Sequence, residues 1–404
     1  MVIYLRIAAF RLKRSKGWHM NIAAPLTNPA SAYSQKVFVL QGGGALGSYQ
    51  AGAFEALREQ NIEPDWIAGI SIGAINASIM AGNVPGERLK ALRSFWNKVG
   101  IQLPVDVLME QQRQSTAFYR TVSSWWVSTF GVPGFFSPWQ IPSWFQAPGS
   151  KGATSIYDTE QLRQTLLDHV DFDRINHGPV RLSLGAVNVR TGNFAFFDNK
   201  DTKITPEHVM ASGALPPGFP AIKIGGEQYW DGGLVSNTPL GYVLSNGAGV
   251  DTVVFQVDLF SAVGNLPQDL EEVEERRKDI TYSSRTRLNT DLFLERHRLR
   301  RAIAELYARL PDEAKADPEI QKLQVHSCDY SVTIIHLIYR NKQFRSHSKD
   351  YEFSALSMRE HWDAGLRDGR KALAPQEWRV PPKAEEGLKV YDLDQRTRSR
   401  KHAL

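Results

Sequence analysis

Residues 36–41 (KVFVLQ) run directly into Gly42-Gly43-Gly44-Ala45-Leu46-Gly47, and Gly69-Ile70-Ser71-Ile72-Gly73 follows one helical stretch later. KVFVLQ is apolar and β-branched, as a strand buried on both faces must be, and the glycines end it. Residues 45–60 then carry Tyr49, Ala53, Ala56 and Leu57 at helical spacing. Residues 66–70 read as a second short strand, and 72–81 as a second helix, small and apolar. Strand, glycine turn, helix, strand, sharp turn and helix, in this order, predict a parallel sheet with helices on both faces.

Working outward, residues 180–189, 252–259 and 331–339 (SVTIIHLIY) read as further apolar strands, the last joining the same sheet. Thr191-Gly192-Asn193 reads as a hairpin turn into a strand at 194–197. Residues 271–318 are charged, helical in period and only weakly apolar, as a helical insertion or cap would be. Residues 352–373 read as a terminal helix, and the polar stretch from Pro381 as disordered. The expected organisation is a tail at 1–35, a catalytic domain at 36–262, a helical extension at 263–380 holding the strand 331–339, and a disordered tail at 381–404.

Of the 404 residues, 42% are hydrophobic and 23% charged, which supplies the apolar material for a real core. Cys328 is the sole cysteine, so no internal disulfide forms, and a reducing compartment fits. No apolar run has the length of a spanning helix. The net charge of +5 suits an anionic membrane surface or a nucleic acid. The chain lacks zinc-finger spacing, an aromatic RNA-binding signature and a long Lys/Arg block, so nucleic acid is not an expected partner. At the N-terminus the apolar residues 1–10 precede Arg11, Lys13, Arg14 and Lys16, the reverse of a secretory signal. An unstructured tail, initiation at Met20 and an interfacial anchor all remain open there.

Three patterns carry chemistry. In G-x-S-x-G, Ser71 sits on a tight turn between strand and helix that lifts its hydroxyl off the sheet edge. In the run from Gly42 to Gly47, backbone N–H groups converge on one point at a helix N-terminus, which suits an anion. That anion is a nucleotide phosphate or the oxyanion of acyl transfer. Ser48 lacks the preceding lysine of a P-loop, and the spacing is not a dinucleotide fingerprint, so the phosphate reading is poor. The third pattern is Asp231-Gly232-Gly233, in itself a common surface turn.

Taken in order, the glycine run, the G-x-S-x-G, the block from Ala211-Ser212 to Phe219-Pro220, and Asp231-Gly232-Gly233 followed by Asn237 and Pro239 resemble the patatin-like phospholipases. The resemblance covers residues 36–260. It implies a three-layer α/β/α sandwich with a mostly parallel central sheet, hydrolysis of acyl esters of lipids, and a Ser–Asp dyad in place of a triad. Carried over, Ser71 is the nucleophile and Asp231 its base. Gly42, Gly43 and Gly44 form the oxyanion hole, with the Gly43 and Gly44 amides as donors. Gly47, Gly69, Gly73, Gly232 and Gly233 support these motifs. Many family members carry Arg or Lys within the glycine run, where Ala45-Leu46 stands here.

The implied substrate is a lipid of the phospholipase A or lysophospholipase class. A stored polyester such as polyhydroxyalkanoate, or a general carboxylic ester, is the alternative. No cofactor is expected, and no metal, because no calcium-loop pattern or metal-ligand cluster is present. A cytoplasmic location is expected, with peripheral contact to a membrane, lipid droplet or granule.

Two rival classes share these residues. A Ser–His–Asp esterase would take its histidine from His326, His336 or His347. A non-enzymatic lipid binder would not need every reactive residue type that is present. Residues 118–145 hold ten aromatics broken by Pro133, Pro138 and Pro142, so they form no single long helix. They read either as core packing or as a lipid-facing lid. Arg285, Arg287, Arg296, Arg298, Arg300 and Arg301 read as a solvated helix face, with contact to anionic headgroups or an acidic carrier as the alternative.

Overall fold

A computed structural model describes residues 28–102, 117–324, 330–340 and 350–392. The expectations for residues 1–27, Cys328, His326 and His347 lie outside these. KVFVLQ forms strand β1 (Gln35–Leu40), followed by a single 3-10 turn, Gly44–Leu46, and helix α1 (Gly47–Glu59). Strand β2 (Trp66–Gly69) leads into α2 (Ile72–Ala81). The later strands are β3 (Arg181–Asn188), β4 (Phe194–Asp198), β5 (Ile222–Ile224), β6 (Glu227–Asp231), β7 (Thr252–Asp258), β8 (Val332–Ile338) and β9 (Leu388–Asp392).

These build one 9-stranded sheet in the order β9-β8-β7-β1-β2-β3-β6-β5, with β4 also paired to β3. The six strands from β9 to β3 run parallel. Strands β4, β5 and β6 pair antiparallel at one end. Side chains alternate across β1 as the pleat requires. Phe38 and Leu40 enter the larger apolar core with α1 and α2, and Val37 and Val39 enter a smaller one with Leu240, Val243 and Phe293. This is the mostly parallel, helix-covered sheet expected.

Helix α3 (Ala117–Phe130) precedes β3, α4 (Pro206–Ser212) follows β4, and α5 (Leu240–Asn246) follows β6. The expected helical stretch after β7 divides into α6 (Leu270–Tyr282), α7 (Thr286–Ala308) and two shorter helices. The terminal helix α8 (Ala355–Leu373) lies against α1 so closely that a Cβ on Gly52 or Gly365 would overlap backbone of the other helix.

One expectation fails. The stretch from Pro381, read as disordered, contains β9, which pairs parallel to β8 from Val332↔Leu388 to His336↔Asp392. The extension therefore adds two strands to the sheet. Leu388 and Val390 pack on the smaller core, and the Arg340 guanidinium donates to Asp392. A short edge strand with charged alternate residues looks polar in composition, and only its period betrays it.

Candidate active site

Strand β2 ends at Gly69, and the chain reverses into α2 through Ser71 at φ 56° and ψ −125°. That conformation is strained for any residue with a side chain. The turn is held hard against the sheet. The Ser71 amide donates to both the carbonyl and the hydroxyl of Ser212, each at 3.1 Å, and that hydroxyl donates to the Gly185 carbonyl at 2.6 Å. A Cβ on Gly69 would overlap the Gly73 carbonyl, and one on Gly73 would overlap the Leu40 carbonyl. Gly47 likewise has no room for a side chain beside Ile72.

Asp231 reaches Ser71 through strand register. Gly69 of β2 pairs with Leu184 of β3, and Asp231 of β6 pairs with Ala186. Because β4 takes the opposite edge of β3, β6 continues the edge that β2 leaves. The carboxylate thus stands beyond the end of β2, beside the serine turn. It is buried, and its Oδ1 accepts from the Gly233 amide at 2.7 Å. Burial pushes its pKa up to about 7, while the Gly233 amide and the Ser71 hydroxyl, both hydrogen-bonded to it, pull the other way. Gly232 fits the strand end because a Cβ there would lie 2.7 Å from the Gly185 carbonyl.

The glycine loop faces the same point. A Cβ on Gly42 would come within 2.9 Å of the Ser71 Cβ. Gly44, at φ +53°, passes under the Asp350 carbonyl, which accepts from the Ala45 amide at 2.9 Å. The Gly42 amide does not face the serine's substrate side: it donates to the Asn237 carbonyl at 3.2 Å. The amides of Gly43 and Gly44 meet no acceptor among the described residues. The Gly42 amide is thus engaged elsewhere, and the amides of the two expected donors, Gly43 and Gly44, are not.

Asn237 also holds the loop by its side chain. Its Nδ2 donates to the carbonyls of Gly42 and Tyr282, both at 3.0 Å. Gln41 Nε2 donates to the same Tyr282 carbonyl at 3.0 Å, and Gln41 Oε1 accepts the amides of Leu259 and Phe260. Tyr282 closes α6, so the C-terminal third is tied into the glycine loop.

Ser71, Asp231 and the loop open on one cavity. Its walls are apolar: Ile75, Phe135, Phe136, Met210, Phe219 and Phe260 among others. Tyr282, Asp350, Tyr351 and Phe353 complete it from the C-terminal third. None of the described lining residues is a lysine, arginine or histidine. Lys278 ion-pairs with Asp350 at 2.5 Å.

His336, one of the candidates for the rival triad, does not lie beside Asp231. It is buried in β8 against Asp258, beside Gln256, far along the sheet order from β6. Sequence reasoning missed the positioning parts: Asn237 and Ser212 were legible only as neighbours of motifs, and Tyr282 and residues 350–353 carry no local pattern. The aromatic stretch divides. Tyr119, Phe135 and Phe136 are buried, while Trp125, Trp126, Phe130, Trp144 and Phe145 are exposed.

The sequence model of the family described as patatin-like phospholipase matches residues 38–244, just over half the chain. This chain belongs to the patatin-like phospholipase family. A second model, described as patatin phospholipase, matches residues 280–385, so the C-terminal extension too has relatives among these proteins. No curated protein matches the chain. Among solved structures, VipD from Legionella pneumophila is similar at 14% identity and a TM-score of 0.34, over 84% of this chain and 66% of VipD. The ExoU–SpcU complex from Pseudomonas aeruginosa gives 16% identity and a TM-score of 0.24, over 72% of this chain and 59% of that one. The chain thus spans less than two thirds of these neighbours' length. No helix among the described residues is long and apolar enough to cross a membrane.

Proposed function

We propose that this protein is a phospholipase A or lysophospholipase-type acyl hydrolase, working by a Ser71–Asp231 dyad. The observation that carries the reading is the strained serine turn beside a buried carboxylate, at the floor of an apolar cavity. Asp231 takes the Ser71 proton as the hydroxyl attacks the ester carbonyl, and returns it to the departing alcohol. A base lifted to about 7 suits this far better than a free aspartate. The Gly43 and Gly44 amides donate to the oxyanion. The substrate is presented at a lipid surface, so peripheral contact with a membrane, droplet or granule is part of the proposal.

In this reading the cavity grips the acyl chain, and its described lining residues include no cation for a phosphate, the nearby Lys278 ammonium being paired with Asp350. Rates on phosphatidylcholine, phosphatidylethanolamine and phosphatidylglycerol of one acyl composition should therefore differ by less than about tenfold, since a charge-assisted headgroup contact, worth roughly ten- to a hundredfold, is missing for all three alike. A panel that adds lysolipids, triglyceride, nitrophenyl esters and polyhydroxyalkanoate tests this. Turnover of the polyester alone would sink the phospholipase reading, and preference for one headgroup beyond a hundredfold would sink the headgroup claim.

Asn237 is a positioning residue in this scheme. Asn237→Ala releases Gly42 from its side-chain tether, and kcat should fall about tenfold to a hundredfold while KM moves little, because the oxyanion donors matter only in the transition state. Steady-state kinetics on a soluble ester decides it. A rise in KM with unchanged kcat would assign Asn237 to substrate binding.

A further inference from the structure

Residues 117–157 contain no aspartate or glutamate, and their only charges are Arg120 and Lys151. This one segment supplies both a wall of the cavity and an exposed apolar surface. Phe135, Phe136 and Tyr157 line the cavity. Trp144 is 79% exposed, Phe145 76%, Trp125 60%, Ile141 58% and Phe130 53%. An ordinary surface helix turns its polar face to water. In α3, Ser123 and Ser124 are buried with Tyr119 and Val127, and Trp125, Trp126 and Phe130 face out beside Thr121, Ser128 and Thr129, with Trp126 and Phe130 ring centroids 4.6 Å apart.

The exposed set is fastened to the cavity wall. The Tyr157 hydroxyl donates to the Ser128 carbonyl at 2.8 Å, and Trp139 Nε1 donates to Ser155 Oγ at 3.1 Å. Ser143, the neighbour of Trp144, donates its hydroxyl to the Ser155 carbonyl. The aromatic surface and the cavity wall are therefore joined by these hydrogen bonds.

We propose that this aromatic surface docks the protein on a lipid–water interface, so that an acyl chain passes into the cavity without crossing water. The inference rests on the lipid-ester reading of the cavity. Tryptophan and its aromatic companions settle at the headgroup level. A patch without carboxylates meets no repulsion from anionic headgroups. A protein partner would instead call for charged groups of both signs around the patch, and this segment carries no carboxylate.

The test uses the full chain with Ser71→Ala, so that vesicles stay intact. Sedimentation with phosphatidylcholine vesicles, with and without phosphatidylglycerol, measures binding. Trp144→Ser with Phe145→Ser, and separately Trp125→Ser with Trp126→Ser, should each weaken binding to both vesicle types by about tenfold or more. With Ser71 restored, the same variants should hydrolyse a short water-soluble ester within about twofold of wild type, which also reports folding. Undiminished vesicle binding overturns the proposal. So does a wild-type dimer in light scattering that these substitutions dissociate, for then a second copy is the occupant. Vesicle binding is read without turnover, so a protein that binds vesicles yet cleaves no ester would refute the hydrolase reading alone.

Discussion

Ser71→Ala should abolish ester hydrolysis and labelling by a fluorophosphonate probe, a loss of at least about ten-thousandfold, in a protein that melts like wild type. The nucleophile has no substitute nearby. Ser212 Oγ is spent on the Ser71 amide and the Gly185 carbonyl, and it is fully buried. Stability should hold because alanine meets the same strain at φ 56° that serine already bears. Ser71→Gly supplies the internal check. It removes the hydroxyl and relieves the turn, so it should be inactive yet more stable by about 1 kcal/mol. Probe labelling of Ser71→Ala at the wild-type rate would place the nucleophile elsewhere.

Asp231→Asn should remove activity as completely, and the double variant with Ser71→Ala should be no worse than either, because the two act as a unit. The same substitution has a second consequence, opposite in sign. Asp231 holds its proton up to about pH 7 in the folded protein, against 3.8 as its ordinary value. Between those pH values the folded chain keeps a proton that the unfolded chain has released, so stability from this group is full at low pH and is lost as pH rises through about 7. Above that, the folded protein carries a buried charge. A carboxamide in its place cannot ionise, so the variant should be more stable than wild type at pH 8, on the order of a few kcal/mol, and equal to it near pH 4. Denaturant melts at the two pH values measure this. For the wild type, kcat/KM should climb with pH and level off above about 7, as the base ionises. His336→Ala should keep activity within about tenfold, any loss reflecting stability. A deeper loss in a folded protein would restore the triad.

Much of this was legible locally. KVFVLQ announced a strand buried on both faces, and G-x-S-x-G between strand and helix announced a turn too tight for side chains at Gly69 and Gly73. What was not legible depended on partners distant in sequence. That Gly42 is held through its amide by the Asn237 carbonyl, 195 residues on, is such a case. Residues 388–392 look like a polar tail until β8 offers them an edge. Tyr282 and residues 350–353 look like parts of a separate extension until they close the cavity.

The sequence by itself determined where strands and helices run, where the chain must turn sharply, and which serine is lifted from the sheet. Those features follow from apolar period and from the absence of a Cβ, both properties of a few consecutive residues. Asp231 was named there only by resemblance, and the tertiary structure decided how it comes to lie beside Ser71 and that its carboxylate is buried. Its place depends on β6 continuing the edge that β2 leaves, and its raised pKa on what covers it. Register and desolvation are relations between distant segments, and no window of sequence contains them.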